Sequence, residues 1–272
     1  MGANHQGEIH TLCTIAEPDY GLITNVGKAH LEGFGGVEGV KKGKSEIYRF
    51  LASRDGIIFC NENDESLVSL LPKGAKIVYY KVPDNVILNE KILSFKWDSQ
   101  IVETHLFGSY NLPNVIVALE IGKFFDIPVN KCIEAVNEYI PENNRSQISK
   151  TGDKTIIKDA YNSNPTSLTA SLVSLTKSYN PEKVVIIIGD MLELGEYSNY
   201  EHSKIIQLIR KYKFLDVWLI GNEFFKLKDD SGIRFYTRTE EAKADFKMDQ
   251  LPADTIIFLK GSRGIAVEKL LG

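Results

Sequence analysis

The sequence predicts an α/β protein of two domains, the second built on a doubly wound, largely parallel sheet. Two observations carry this prediction. Short β-rich runs alternate with amphipathic helical stretches along most of the chain, which is the pattern of layered α/β architecture. The chain's 272 residues, at about 150 per domain, are enough for two hydrophobic cores. Hydrophobic residues make up 43% and charged residues 25%, the mixture of a folded chain and not of a disordered or collagen-like one.

In the first half, strands are expected at residues 20–26, 56–60, 76–80, 92–97 and 101–105, each roughly five to seven residues long. The last two flank Asp98-Ser99 as a hairpin. Helices follow at residues 112–125 and 130–139, and then PENNRS, rich in turn formers, where a domain boundary is placed between residues 142 and 143. Beyond it the pattern reads strand 155–159, helix 165–178, strand 183–188, helix 200–212, strands 216–220 and 255–260, and a last helix near the C terminus. Ligands of such sheets bind beyond the carboxyl ends of the strands.

Charge and cysteine usage exclude several functions. With 36 acidic and 32 basic residues the net charge is −4, which does not favour a nucleic acid partner. Cys13, Cys60 and Cys132 are widely spaced and form no C-x-x-C pair, so neither a disulfide framework nor a thiolate zinc site is expected and a reducing cytoplasm fits. The longest aliphatic run, residues 184–188, is far short of the roughly 18 residues that span a bilayer, so no membrane insertion is expected. The N-terminal MGANHQGEIH has no apolar signal core and reads as though the chain opened inside a domain.

EGVKKGKSE invites a phosphate-loop reading through Gly43-Lys44-Ser45, but Glu38 stands where the first glycine is required and no strand feeds the segment. A helical reading is more informative. Val40, Ile47, Tyr48 and Leu51 fall at helical spacing with Lys44 among them, while Lys41, Lys42 and Arg49 point elsewhere. Burial lowers a lysine's pKa and leaves a free amine able to react with an electrophile. The alternative is a lysine that snorkels from the edge of the core.

Other candidate residues sit at element ends. Asn25, His30 and Glu32 follow the strand at residues 20–26. Asn111 and Asn114 are three apart at a helix start, where planar amides suit the edge of adenine or simply cap the helix. Arg145 lies in the boundary segment, with a guanidinium fork that suits phosphate oxygens or merely solvates a linker. Asp159 ends a strand, and Asn164-Pro165 reads as a helix cap. Lys260, Ser262 and Arg263 gather at a strand end before the last helix, where they suit a carboxylate or only cap that helix.

The strings GANHQGEI, NVGKAHLEGFG, KSEIY, GSYNLPN, NNR, DAYNSNP, GDMLELGE and LKGSRG occur in an order that resembles the Mur ligases of peptidoglycan synthesis. DAYNSNP and GDMLELGE point to the branch that adds D-alanyl-D-alanine. The resemblance covers the chain from Gly2 to its C-terminal end. It implies a partial central ATP-binding domain over residues 1–142 and a Rossmann-like ligase domain over residues 143–272. The family's UDP-sugar domain, its phosphate loop and an acidic residue expected just before Met1 have no counterpart in these 272 residues. A truncation or an incomplete gene model accounts for that, and this polypeptide alone is expected to be inactive.

The resemblance also implies residue roles. His30 and Lys44, the latter as a carbamate, fall on the family's catalytic and magnesium-binding positions. Asn111 and Asn114 match residues that read adenine, Arg145 one that reaches the nucleotide phosphates, and Asp159 one that meets the ribose. Tyr161 and Asn162 match site residues, and Lys260, Ser262 and Arg263 match a group placed to receive the dipeptide's carboxylate. The implied cofactors are ATP and Mg2+, and the implied substrates are UDP-N-acetylmuramoyl-tripeptide and D-alanyl-D-alanine. A related muramyl-peptide or folylpolyglutamate-type ligase, and a non-catalytic nucleotide-binding module, are the alternatives.

Overall fold

A computed structural model describes residues 1–271, which form two compact units. The first comprises Met1–Asn85, Leu112–Ile133 and Glu193–Gly195; the second comprises Val86–Asn111, Glu134–Leu192 and the chain from Glu196 onward.

The first unit carries a parallel three-stranded sheet, β1 (Tyr20–Leu22), β2 (Ile57–Asn61) and β3 (Lys76–Tyr80), in that order. Around it stand α1 (Glu8–Ala16), α2 (Leu31–Phe34), α3 (Val37–Lys44), α4 (Glu46–Ser53), α5 (Glu65–Val68) and α6 (Leu112–Phe124). Ile23, Tyr48, Leu51, Ile58, Cys60 and Leu67 form the core. β1 is shorter than expected. It pairs with β2 only from Tyr20 to Leu22, and the chain then leaves the sheet to become the wall of a cavity. The single helix read over residues 40–51 is two helices that meet at Ser45. The Ser45 hydroxyl donates to the Lys42 carbonyl at 3.0 Å and accepts from Arg49 at 2.6 Å, the local back-bonding by which serine interrupts a regular helix. Gly39, in the first turn of α3, is required where α3 meets the end of α2, because a Cβ there would collide with the Phe34 carbonyl.

In the second unit, β4 (Ile87–Asn89), β5 (Ser94–Trp97) and β6 (Gln100–Glu103) make a small antiparallel sheet. Asp98 (φ 46°) and Ser99 (φ 63°) are both left-handed, as the tight turn of a two-residue hairpin demands. After α7 (Val129–Glu138), the main sheet takes the order β11-β10-β9-β12-β8-β7. Its strands are β7 (Gln147–Thr151), β8 (Lys154–Asp159), β9 (Val184–Gly189), β10 (Asp216–Ile220), β11 (Arg234–Tyr236) and β12 (Ile256–Lys260). All pairings are parallel except β7 with β8. Every residue of β9 and β12 is buried, which explains their unbroken apolar sequences: a parallel sheet is covered on both faces.

The helices of this unit are α8 (Pro165–Ser178), α9 (Ser198–Ile209), α10 (Asn222–Phe225) and α11 (Thr239–Asp245). The expected last helix is instead a 3-10 helix over Val267–Leu271. Val267 and Leu270 are its buried pair, three apart, and that spacing is satisfied by a tighter three-residue turn. Among the described residues no helix is long and apolar enough to cross a membrane.

The start of α8 is set by side-chain chemistry. Asn164 accepts from Ser167 N–H at 2.9 Å while Ser167 accepts from Asn164 N–H at 3.2 Å, a reciprocal capping box with Pro165 in the first turn. Asn164→Ala is expected to lower stability by about 1 kcal/mol in urea unfolding, and an unchanged midpoint would contradict this assignment.

Candidate functional site

In the first unit, a cavity of about 370 Å³ opens where the chain leaves β1, lined by Leu22, Ile23, Thr24, Asn25, His30 and Lys44 together with the N-terminal Met1 to Ala3 and Ile9, Phe34 and Ile47. His30 and Lys44, singled out on sequence, therefore reach one site. The position follows from the fold: the carboxyl end of a parallel strand is where the chain turns away and leaves a crevice.

Lys44 is half-buried at the end of α3. Its Nζ donates to the Asn25 carbonyl at 2.9 Å, and no carboxylate pairs with it among the described residues. Burial pushes its pKa below the ordinary lysine value, because taking an unpaired ammonium out of water disfavours the charged form. His30 precedes α2 in the left-handed conformation (φ 54°). Its Nδ1 lies against the carboxylate of Glu193, which is also left-handed (φ 62°). Two non-glycine residues held in this sparsely populated region face each other at the mouth of a cavity, a cost that functional sites often bear.

The donor set bears on magnesium. Among the described residues no group of three or more His, Cys, Asp or Glu side chains could hold a metal ion. Magnesium, however, keeps several waters and binds through few protein groups plus substrate phosphates. A histidine and a lysine that can carry a carboxylate-like group suit such a sparse site.

In the second unit, Asp159, at the end of β8, is the centre of a buried network. Its Oδ2 accepts from Lys260 Nζ at 2.6 Å, from Ser171 Oγ at 3.3 Å and from Tyr110 OH at 3.3 Å, and its Oδ1 accepts from Ser146 N–H at 3.2 Å. The register of the sheet makes the pair, since Asp159 and Lys260 are directly opposite on β8 and β12. Burial, the largest single influence, would raise the Asp159 carboxyl, but the Lys260 ammonium together with the hydrogen bonds from Lys260, Ser146 and Ser171 outweighs it and holds the group below the ordinary carboxylate value. Ser146 Oγ in turn accepts from Asn111 Nδ2 at 3.1 Å, whose other acceptor is the Phe107 carbonyl at 2.8 Å. Asn111 is thus buried and fixed, whereas Asn114 is exposed in the first turn of α6.

The C-terminal trio is brought to one strand end, but only Arg263 is open to solvent. Lys260 is 2% exposed and bound to Asp159. The Ser262 hydroxyl accepts from Leu192 N–H at 3.0 Å, and the Ser262 N–H donates to the Asp190 carbonyl at 3.2 Å. With no α-helix following, a helix-terminus reading of this group does not apply. Arg145 stacks on Tyr161, and the neighbouring Asn162 is exposed.

Sequence reasoning missed the frame behind this edge. Asp190, buried after β9, accepts from the N–H groups of Glu223 and Phe224 at 2.8 and 2.9 Å, and Gly221 is there because a Cβ would collide with that carboxylate. His202 Nε2 accepts from Met191 N–H at 3.1 Å and its Nδ1 donates to the Ser198 carbonyl at 2.7 Å. Burial raises Asp190 and lowers His202, so the imidazole is neutral with its proton on Nδ1. Tyr110, Ser146 and Ser171 were missed for a plain reason: Tyr110 is 49 residues from Asp159, so no local spacing marks the contact.

The chain matches the Mur ligase middle domain over residues 1–122 and the Mur ligase, glutamate ligase domain over residues 144–263. The UDP-N-acetylmuramoyl-tripeptide--D-alanyl-D-alanine ligase of Bacillus subtilis (strain 168) is 28% identical over 289 residues, covering 100% of this chain and 62% of that protein. The Escherichia coli (strain K12) protein of the same name is 26% identical, with 100% and 63% covered. Crystal structure I of MurF from Acinetobacter baumannii superposes with a TM-score of 0.86 at 25% identity, covering 100% of this chain and 62% of that one. The Thermotoga maritima MurF ligase in complex with ADP superposes at 0.82 and 23% identity, with 100% and 65% covered. The chain thus spans about three fifths of the length of the curated relatives it matches.

Removing one partner of a buried ion pair leaves the other uncompensated. Lys260→Met is expected to destabilise the second unit by about 3–5 kcal/mol, with Asp159→Asn on top of it recovering most of the loss. Because the folded Asp159 pKa is depressed, its contribution is present above the unfolded value of about 3.9 and is lost as pH falls through the folded value. The stability gap between the protein and Asp159→Asn should therefore narrow in acid; a gap that widens below pH 4 in denaturant titrations would refute this.

Proposed function

The chain belongs to the Mur ligase family, and from that premise we propose that it carries the metal side and the closing lobe of an ATP-dependent amide ligase. In this reading residues 1–142 are part of the central ATP-binding domain and residues 143–272 the Rossmann-like ligase domain. The reaction joins D-alanyl-D-alanine to UDP-N-acetylmuramoyl-tripeptide. The tripeptide carboxylate takes the γ-phosphoryl group of ATP, releasing ADP; the dipeptide amine then attacks the acyl carbon, phosphate leaves and an amide forms. A cytoplasmic location fits the three free, buried cysteines.

The observation that carries this reading is the convergence of His30 and Lys44 on one cavity at the carboxyl end of a parallel strand. An amine whose proton is disfavoured by burial can add carbon dioxide, with loss of a proton, to give a carbamate anion. His30 and Lys44, the latter as a carbamate, would hold a magnesium ion, which when bound would neutralise phosphate oxygens. The chain's own residues do the positioning, which dominates phosphoryl transfer. Asn114 offers its amide to the adenine edge, whereas the amide N–H groups of Asn111 are taken by Phe107 and Ser146 and leave only its Oδ1 for a base; Arg145 supplies a fork for phosphate. Asp159 is committed to Lys260 through Oδ2 and to the N–H and hydroxyl of Ser146 through Oδ1, so it meets a ribose hydroxyl only if the Ser146 hydroxyl gives up its contact. Tyr161, Asn162 and Arg263 stand with Arg145 at the carboxyl edge of the main sheet.

The 272 residues hold no phosphate loop, so the polypeptide by itself should release no phosphate from ATP with both substrates present. Joined at its N terminus to the upstream segment of the B. subtilis relative, it should do so only when D-alanyl-D-alanine and the UDP-linked tripeptide are both supplied. Turnover by the 272 residues alone, or an extended protein that ignores the dipeptide, would overturn the reading.

A further inference from the structure

At the carboxyl edge of the main sheet, Tyr161 follows β8 by two residues and Arg263 follows β12 by three. The strands are neighbours paired at Asp159 and Lys260, so the two side chains emerge beside each other. The Ala160 N–H donates to the Asn144 carbonyl at 2.9 Å, and this brings Arg145 to the same place. The Tyr161 ring is 38% exposed, with the Arg145 guanidinium carbon 3.7 Å and that of Arg263 5.6 Å from its centroid. Two guanidinium groups therefore share one aromatic ring, both exposed.

Neither arginine has an ion pair with any described residue. Asp159, two residues before Tyr161, is already neutralised by Lys260. The two guanidinium carbons are at most about 9 Å apart, and a shared anion offsets their mutual repulsion. The ring quadrupole holds each cation without neutralising it. Asn162, whose Oδ1 accepts from Ser163 N–H at 2.8 Å, keeps its amide N–H groups for a ligand.

From this we infer that Tyr161 is a platform that aims Arg145 and Arg263 at one tetrahedral oxyanion of the phosphate class, so that the two arginines take a single anion and not a phosphate and a separate carboxylate. A dianion matches two cations, and its several oxygens satisfy two guanidinium forks at once, which a monovalent carboxylate does not. The inference deepens the ligase reading at one point, yet its test needs no turnover and so fails independently of it.

The test is a titration of the 15N-labelled 272-residue protein with inorganic phosphate, following the arginine Nε–H signals, assigned by Arg145→Lys and Arg263→Lys. Both signals should move along one binding curve, with sodium acetate at equal ionic strength binding at least about tenfold more weakly. Tyr161→Phe should keep the curve, since the ring face is retained, and Tyr161→Leu should weaken phosphate by about tenfold. Arg263→Gln should weaken the response of Arg145 as well. Two separate midpoints, an equal response to acetate, no response to phosphate, or indifference of Arg145 to both Tyr161→Leu and Arg263→Gln would each overturn the inference.

Discussion

A buried ammonium must be paired with a carboxylate or give up its proton, and Lys260 and Lys44 take these two courses. Lys260, at the end of β12, is sealed against Asp159 at 2.6 Å. Lys44, at the end of α3, meets only a backbone carbonyl. The first arrangement fixes structure: the pair joins two neighbouring strands and gathers Tyr110, Ser146 and Ser171 around one carboxylate. The second arrangement supplies chemistry, because burial lowers the pKa of the amine and so favours its reactive, uncharged form. The spacing of apolar residues marks Lys44 on sequence, but nothing local marks Lys260 as paired; the difference lies in what the fold sets opposite each.

The second unit shows how much polar construction stands behind a few exposed residues. Ser262 is turned inward to hold the Leu192 N–H, and His202 holds Met191 N–H as a neutral acceptor. Asp190 ties the end of β9 to the start of α10. These groups are buried and satisfied, which is the condition for a polar network to rigidify a core and not weaken it. What they leave at the surface of the sheet edge is Tyr161 with Arg145 and Arg263. The residues of LKGSRG and DAYNSNP thus divide into a buried frame and an exposed face, although in sequence they look equally functional.

The elements with strong periodicity were legible from sequence. Residues 76–80, 165–178 and 216–220 form the expected elements without change, because five-residue apolar strands and a capped amphipathic helix carry their own signals. Elements fixed by tertiary pairing were not. β4, β7 and β11 are short edge strands that exist through a single neighbour, and β1 stops at Leu22 although β2 runs on to Asn61, because the chain turns away to line the cavity. The break at Ser45 depends on a serine back-bond, invisible to a count of apolar positions. For the site, His30 and Lys44 were readable as residues, while their meeting in one cavity was not, and the partners of Asp159 lie up to 101 residues away.

The central claim is that burial without a counter-charge leaves Lys44 ready to react. The direct measurement is a pH titration of the 13Cε resonance of Lys44 in selectively labelled protein kept free of carbon dioxide, with Lys44→Arg giving the assignment. The account predicts a midpoint below the ordinary lysine value of 10.5. A midpoint at or above 10.5 would mean that the ammonium is stabilised where it sits, and the chemistry assigned to the cavity would have no basis.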